Sequence, residues 1–223
     1  MRRKTNRMLN IAIYDMDKTI TVAPTWTAFA VGAAPKWRLS LLPFAALAAG
    51  AYGAKLIDRA RLKQVTQRLL LGHTLAESRA AASAERFAGR VAVFPGAEAR
   101  IEQDRAAGYR LVMATASYRF YVTAIATRLG FDDVIATNSQ AGDSGAVRAG
   151  IAGENCYGPA KLRMIESWLA DEGIKREDAH IRFYSDHVSD APALDWADEA
   201  FAVNPHAPLR AMAKLRGWTI IDW

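Results

Sequence analysis

A short apolar run that stops on two carboxylates constrains this chain more than any other feature. The stretch "IAIYDMDKTIT", residues 11–21, sets Asp15 and Asp17 two positions apart at the end of what reads as a buried strand. Crowded carboxylates repel one another and each resists losing its water. A strand that only filled a core would not end this way, so its end must face something that attracts negative charge. The first strand is expected over 10–14, and five more apolar runs bounded by turn residues read as strands at 110–115, 134–137, 180–184, 200–203 and 219–221. Helical patterns lie between most of them. "AEARIEQDRAAG" stops at Gly108, "YRFYVTAIATRLG" at Gly130, and "PAKLRMIESWLADEG" opens on Pro159 and closes on Gly173. Alternating strands and helices predict an α/β fold, a Rossmann-like parallel sheet with helices on both faces. In such sheets the ligand site lies beyond the carboxyl ends of the strands, where Asp15 and Asp17 fall.

Residues 22–90 break the alternation with helical patterns alone. In "IDRARLKQVTQRLLLG" Leu62, Val65 and Leu69 share one face, which places Arg59, Lys63, Gln67 and Arg68 mostly away from it. Thr74 and Glu77 have the spacing of a capping box. The block is expected to be an inserted all-helical cap, 22–90, on a core formed by 1–21 and 91–223. "SQAGDSGAVRAGIAG" suggests a hairpin excursion from that core.

The net charge of +6 raises the question of nucleic acid, but Arg2, Arg3, Lys4 and Arg7 supply +4 of it, leaving +2 on the rest. No basic–aromatic stripe supports such a partner. The basic start is not a secretory signal, because the apolar run behind it is short and ends in acid. The single cysteine, Cys156, excludes an intrachain disulfide and a cysteine-based zinc site, which fits a reducing cytoplasm. One uncharged stretch, "LSLLPFAALAAGAYGA" at 39–54, is flanked by Lys36, Arg38 and Lys55 and interrupted by Pro43. It is shorter than the roughly 20 residues of a spanning helix. It is expected to be a buried helix or helical hairpin. The competing reading lays it on a membrane surface, peripheral to the inner membrane, with the basic start assisting.

Three further places supply partners for the first carboxylates. "LVMATAS" ends a strand on Thr115 and Ser117, "YGPAKLRMI" sets Lys161 in the first turn of a helix, and "IRFYSDHVSDAPAL" follows a strand with Asp186 and Asp190. Singly each has an ordinary explanation: a hydroxyl is a helix cap, a lysine a solvated face, spaced aspartates a surface. Together, at the ends of core elements, one crevice can collect them. Clustered carboxylates suit Mg²⁺, which takes a few oxygen ligands together with water and phosphate. Phosphoryl transfer needs chiefly positioning and charge neutralisation. Asp15 then reads as a carboxylate nucleophile, and Asp17, on the same side of the extended chain, as its acid/base partner.

At these residues the sequence resembles the haloacid dehalogenase superfamily, in its phosphoserine-phosphatase-like branch. "DMDKT" resembles the DxDxT motif, and "TAS", the lysine of "GPAKL" and "SDHVSD" resemble the second, third and fourth motifs in order. The insertion resembles that branch's helical cap. The resemblance implies Asp15 as nucleophile and Mg²⁺ ligand, and Asp17 as acid/base that also lends its carbonyl to the metal. It implies Thr115 as the phosphoryl-binding hydroxyl, a role Ser117 can share, and Lys161 as the cation steadying nucleophile and phosphoryl group. Asp186 becomes a direct metal ligand and Asp190 a ligand or the holder of a metal water. His187 replaces the glycine common after Asp186 and reads as a loop histidine over the site mouth. Tyr118, Arg119 and Tyr157 flank the motifs and are expected to line the substrate crevice, ahead of Trp26, Trp37 and Tyr52.

The expected function is a Mg²⁺-dependent phosphomonoesterase acting through an aspartyl-phosphate on a small alcohol phosphate. An insertion without a clustered acid–base pair argues against an amino-acid zwitterion. The alternative is a membrane-surface lipid phosphatase, because the apolar 39–54 stretch is loosely similar in layout to the cap of the phosphatidylglycerophosphatase type. A receiver-like phosphoacceptor domain uses similar groups, but it would be shorter and lack the insertion.

Overall fold

A computed structural model describes residues 8–223; the basic start falls outside them. Six strands run parallel: β1 (Leu9–Tyr14), β3 (Arg110–Tyr118), β4 (Asp133–Ala141), β6 (Ala179–Ser185), β7 (Glu199–Val203) and β8 (Thr219–Ile221). The antiparallel β5 (Val147–Ala152) extends β4, and the two-residue β2 (Thr74–Leu75) extends β5. The order is β2-β5-β4-β3-β1-β6-β7-β8. β1 therefore sits between β3 and β6, where the chain's winding reverses, and a crevice opens beyond its carboxyl end.

Alternation along β1 divides the interior. Ile11 and Ile13 enter one core with Val112, Ile135 and Phe183, roofed by α7 (Pro159–Asp171), α8 (Ala191–Trp196) and α9 (Ala207–Arg216). Ala12 and Tyr14 enter the other with Leu111 and Met113, beneath α5 (Pro95–Ala106) and α6 (Arg119–Arg128). A central parallel strand buried on both faces reads as an unbroken apolar run, which is why the strand spans were visible in sequence. Under β1, Tyr14 and Tyr184 stack at 4.1 Å, and both hydroxyls donate to the buried Asp104, which Arg182 also meets. That network anchors the residue just before Asp15.

The insertion between β1 and α5 holds α1 (Thr25–Ala33), α2 (Leu42–Gly53), α3 (Arg59–Leu70) and α4 (Glu77–Ala88), with a 3₁₀ turn at Lys36–Leu41. It departs from the sequence reading in three ways. Thr74 does not cap α4. It pairs with Arg148 in β2, and Ala76 precedes the helix without a side-chain cap. On α3 the residues turned inward are Lys63, Gln67 and Leu70, while Leu62, Val65 and Leu69 are half-buried. The seam they face is polar, because Gln67 donates to the Arg148 carbonyl and Lys63 reaches the core. Third, the expected burial of 39–54 does not occur. No residue of α2 is buried, and Phe44 and Leu47 are 57% and 69% exposed. No helix among the described residues is long and apolar enough to cross a membrane.

Candidate active site

Asp15 leaves β1 with its N–H donated to the Tyr184 carbonyl. Lys161 enters from the first turn of α7, set there by Gly158 with φ 59°, ψ −136°, a conformation in which a Cβ is strained. Its Nζ donates to Asp15 Oδ1 at 2.7 Å and to Asp190 Oδ2 at 2.6 Å. Ser185 donates to the same Asp190 oxygen at 2.8 Å. Thr19 Oγ1 lies 3.2 Å from Asp15 Oδ2 and 3.4 Å from Asp186 Oδ1, and accepts the Asp186 N–H at 2.9 Å. Residues from β1, β6 and α7 thus join through a shared hydroxyl and a shared ammonium. They floor a crevice of about 240 Å³ that Asp17 and Thr115 also line, with Lys18, Arg59, Tyr157 and His187 nearer its mouth.

The electrostatics follow from burial. Loss of water, opposed by Lys161 and reinforced by Asp190 and Asp186, pushes the Asp15 carboxyl up to about 7. Burial and Asp190 raise Asp186 to about 6, against the pull of Lys161. Burial works against the Lys161 ammonium too, yet Asp15 and Asp190 hold its pKa above the ordinary lysine value. Asp190 Oδ1 is buried with no protein partner. Such an oxygen calls for a cation or a water. Among the described residues no three carboxylate, imidazole or thiol groups close on a metal position by themselves. Lys161 draws Asp15 and Asp190 toward itself, and Mg²⁺ commonly needs only one or two carboxylates. The oxygens that could hold such an ion are those of Asp15 and Asp186, which Thr19 brings together, and the unpartnered Oδ1 of Asp190.

Asp17 faces differently. Its Oδ1 accepts the Thr25 N–H and hydroxyl, both at 2.8 Å, and its Oδ2 accepts from Ser117 at 3.0 Å, so its side chain ties the crevice wall to the start of α1. Ser117 is thereby committed to Asp17, while Thr115 lines the crevice and accepts the Ser117 N–H at 3.1 Å. Tyr157 lies in the lining, with the Arg59 guanidinium 4.4 Å over its ring. His187 lines it as well, stacked on His206 at 4.8 Å, and burial together with His206 lowers its pKa. Two expected lining residues do not reach it. Tyr118 is fully buried among Trp26 and Phe120, because β3 runs on past 115 and the bulge there turns the tyrosine inward. Arg119 begins α6 on the surface and donates to Asn138. Sequence reasoning gave no role to Thr19, although it is the threonine of "DMDKT", nor to Arg59 and Lys63, whose helix was read in the wrong phase.

The haloacid dehalogenase-like hydrolase family profile matches residues 12–195. The chain belongs to that family. Its insertion and core also find close spatial counterparts. A structure of unknown function from Bordetella pertussis superposes with TM-score 0.83 at 25% identity, covering 96% of this chain and 99% of the other. A substrate-bound phosphoserine phosphatase shares the fold, with TM-score 0.65 at 19% identity over 96% and 92%. A histidinol-phosphatase of Neisseria meningitidis serogroup C is 27% identical over 55% of this chain and 56% of its own length. The chain spans about half the length of the curated relatives it matches first.

Proposed function

We propose that this chain is a phosphomonoesterase in which Asp15 attacks phosphorus and Mg²⁺ is the metal cofactor. The observation that carries the reading is the convergence of Asp15, Lys161, Asp186 and Asp190 from distant parts of the chain within one crevice. A carboxylate that shares a buried ammonium at 2.7 Å is fixed in orientation, as a nucleophile must be. An Asp15 oxygen forms a bond to phosphorus as the ester P–O bond breaks, and Asp17 gives its proton to the departing alcohol oxygen. Asp17 then takes a proton from water, whose oxygen displaces Asp15 and frees phosphate. The Thr115 hydroxyl and Lys161 hold phosphoryl oxygens. Asp15, Asp186, Asp190 and the Asp17 carbonyl would hold Mg²⁺, which would supply neutralisation of phosphoryl charge. The substrate proposed is a small alcohol phosphate, matched to the modest crevice. The test is hydrolysis of p-nitrophenyl phosphate and small alcohol phosphates with Mg²⁺ or with chelator, beside Asp15→Asn. Phosphate release that needs the metal and vanishes in the variant is expected. Equal turnover in chelator removes the metal, and an active variant removes the nucleophile.

Exposure of α2 favours a second reading, a phosphorylated amphiphile met at a bilayer surface. Among the described residues eight large apolar side chains stand exposed, and Trp37, Leu42, Phe44, Leu47 and Leu56 put five of them on one stretch. No acid lies between Asp17 and Asp58, whereas Lys36, Arg38 and Lys55 do. Apolar side chains rimmed by basic ones suit an anionic interface. This reading expects the chain to sediment with phosphatidylglycerol-containing vesicles and to be released by Phe44→Ser with Leu47→Ser. Protein left wholly in the supernatant contradicts it.

A further inference from the structure

Lys63 is a buried lysine that the chemistry above does not use. It stands mid-way along α3, and its Nζ donates to Asn155 Oδ1 at 2.8 Å and to the Ala116 carbonyl. The ammonium lies 4.4 Å from the centre of the Tyr118 ring. Neither acceptor is a carboxylate, so the cost of removing a charge from water is not met by an ion pair. A lysine kept for packing alone would be outdone by an apolar side chain of similar length.

Its acceptor lies at a telling position. The register of β3 against β4 breaks between Thr115, opposite Ala136, and Tyr118, opposite Thr137, so Ala116 and Ser117 bulge out of the ladder. On one side of Ala116 is the crevice hydroxyl of Thr115; on the other is Ser117, whose hydroxyl holds Asp17. Ala116 itself lines the crevice. A bulged carbonyl has no strand partner and must find donors elsewhere. Thr137 Oγ1 offers one at 2.8 Å, but it also lies 3.0 Å from Asn155 Oδ1 and has a single proton to give. When Thr137 turns to Asn155, Lys63 is the donor that keeps the Ala116 peptide in place.

We propose that Lys63 is a positioning residue that locks the Ala116 carbonyl, and with it the Thr115–Ser117 turn, only while the helical insertion is docked on the core. The proposal rests on the phosphatase reading above. It makes α3 a sensor: the turn that holds the phosphoryl group and Asp17 is fully braced from the core side by Thr137 and from the insertion side by Lys63. Burial, opposed by Cys156 and Asp17 and reinforced by Arg59, brings the Lys63 amine down to about 7, consistent with a group held for its hydrogen bonds.

The test compares wild type with Lys63→Met, Lys63→Arg, Thr137→Val and the Met/Val double variant on p-nitrophenyl phosphate. Misplacing a phosphoryl-binding turn is expected to lower kcat by roughly 10- to 100-fold in Lys63→Met. KM should change less than about 3-fold, because the position of bound groups is altered rather than their number. The melting temperature should not fall, since a desolvated cation has gone. Lys63→Arg should restore most of kcat. Thr137→Val should show the same fall in kcat with KM little changed, but with a lower melting temperature, because its hydroxyl also accepts the buried Cys156 N–H at 3.1 Å. The double variant should lose less kcat than the product of the two. Wild-type kcat in Lys63→Met, a fall in melting temperature with kcat intact, or a rise in KM alone overturns the proposal while leaving the phosphatase reading standing. A wild type that releases no phosphate from any ester overturns both.

Discussion

Lys161 and Lys63 are both nearly stripped of water, 2% and 7% exposed, yet they answer burial in opposite ways. Lys161 has two carboxylates within 2.7 Å, and its pKa rises. Lys63 has an amide oxygen, a peptide carbonyl and a ring face, and its pKa falls to about 7. Depth alone decides neither outcome; the charge of the partners does. The lesson extends to roles. On the proposed reading the paired lysine belongs with the reacting groups, and the unpaired one braces the backbone that surrounds them.

The largest expected effect comes from breaking the paired site. Lys161→Met leaves Asp15 and Asp190 facing each other across an apolar gap, so phosphate release should fall by on the order of 1,000-fold or more. Losing one partner of a buried ion pair should also cost about 3–5 kcal/mol of stability, read by denaturant unfolding. Activity near wild type would erase the distinction between the two lysines. The smaller, turn-mediated loss expected from Lys63→Met sharpens it.

The mildest effect is on pH dependence, and its sign differs between the two. The folded pKa of Lys63 lies below its unfolded value of about 10.4. Between about 7 and 10.4 the unfolded chain therefore binds more protons, and this group makes stability rise with pH. Lys161 has a folded pKa above the unfolded value, so its contribution is fully present below about 10.4 and is lost as pH rises through the folded value. Lys63→Met should accordingly gain stability on wild type at pH 7 and lose that advantage by pH 10, measured by unfolding in urea. An advantage that stays constant across the window would mean that Lys63 is charged and paired after all.

How much of this was legible in sequence depended on whether the cause was local. The central parallel strands were visible as apolar runs because both of their faces are covered, whereas the edge strand β8 has no buried residue, and Gly108, Gly130 and Gly173 marked the helix ends with their positive φ. Asp15, Asp17, Lys161, Asp186 and Asp190 were legible because each sits at the end of a core element, and the sheet's winding brings those ends together. What failed depended on distant partners. Lys63 and Gln67 face inward because the surface beneath α3 offers oxygens, which the periodicity of leucine and valine cannot reveal. Thr74 forms a strand only because Arg148 stands beside it. Tyr118 missed the crevice because a bulge two residues earlier changed which way it points. In α2 composition pointed to burial, yet no residue of the helix is buried.

The central claim is that Asp15 bonds covalently to phosphorus. It is tested most directly by mixing the protein with p-nitrophenyl phosphate and Mg²⁺, quenching in acid within one turnover, and mapping the adduct by peptide mass spectrometry. The account predicts a phosphoryl group on the peptide holding Asp15, present in wild type and missing from Asp15→Asn. Rapid hydrolysis with no adduct there, or an adduct on another residue that survives Asp15→Asn, would contradict it.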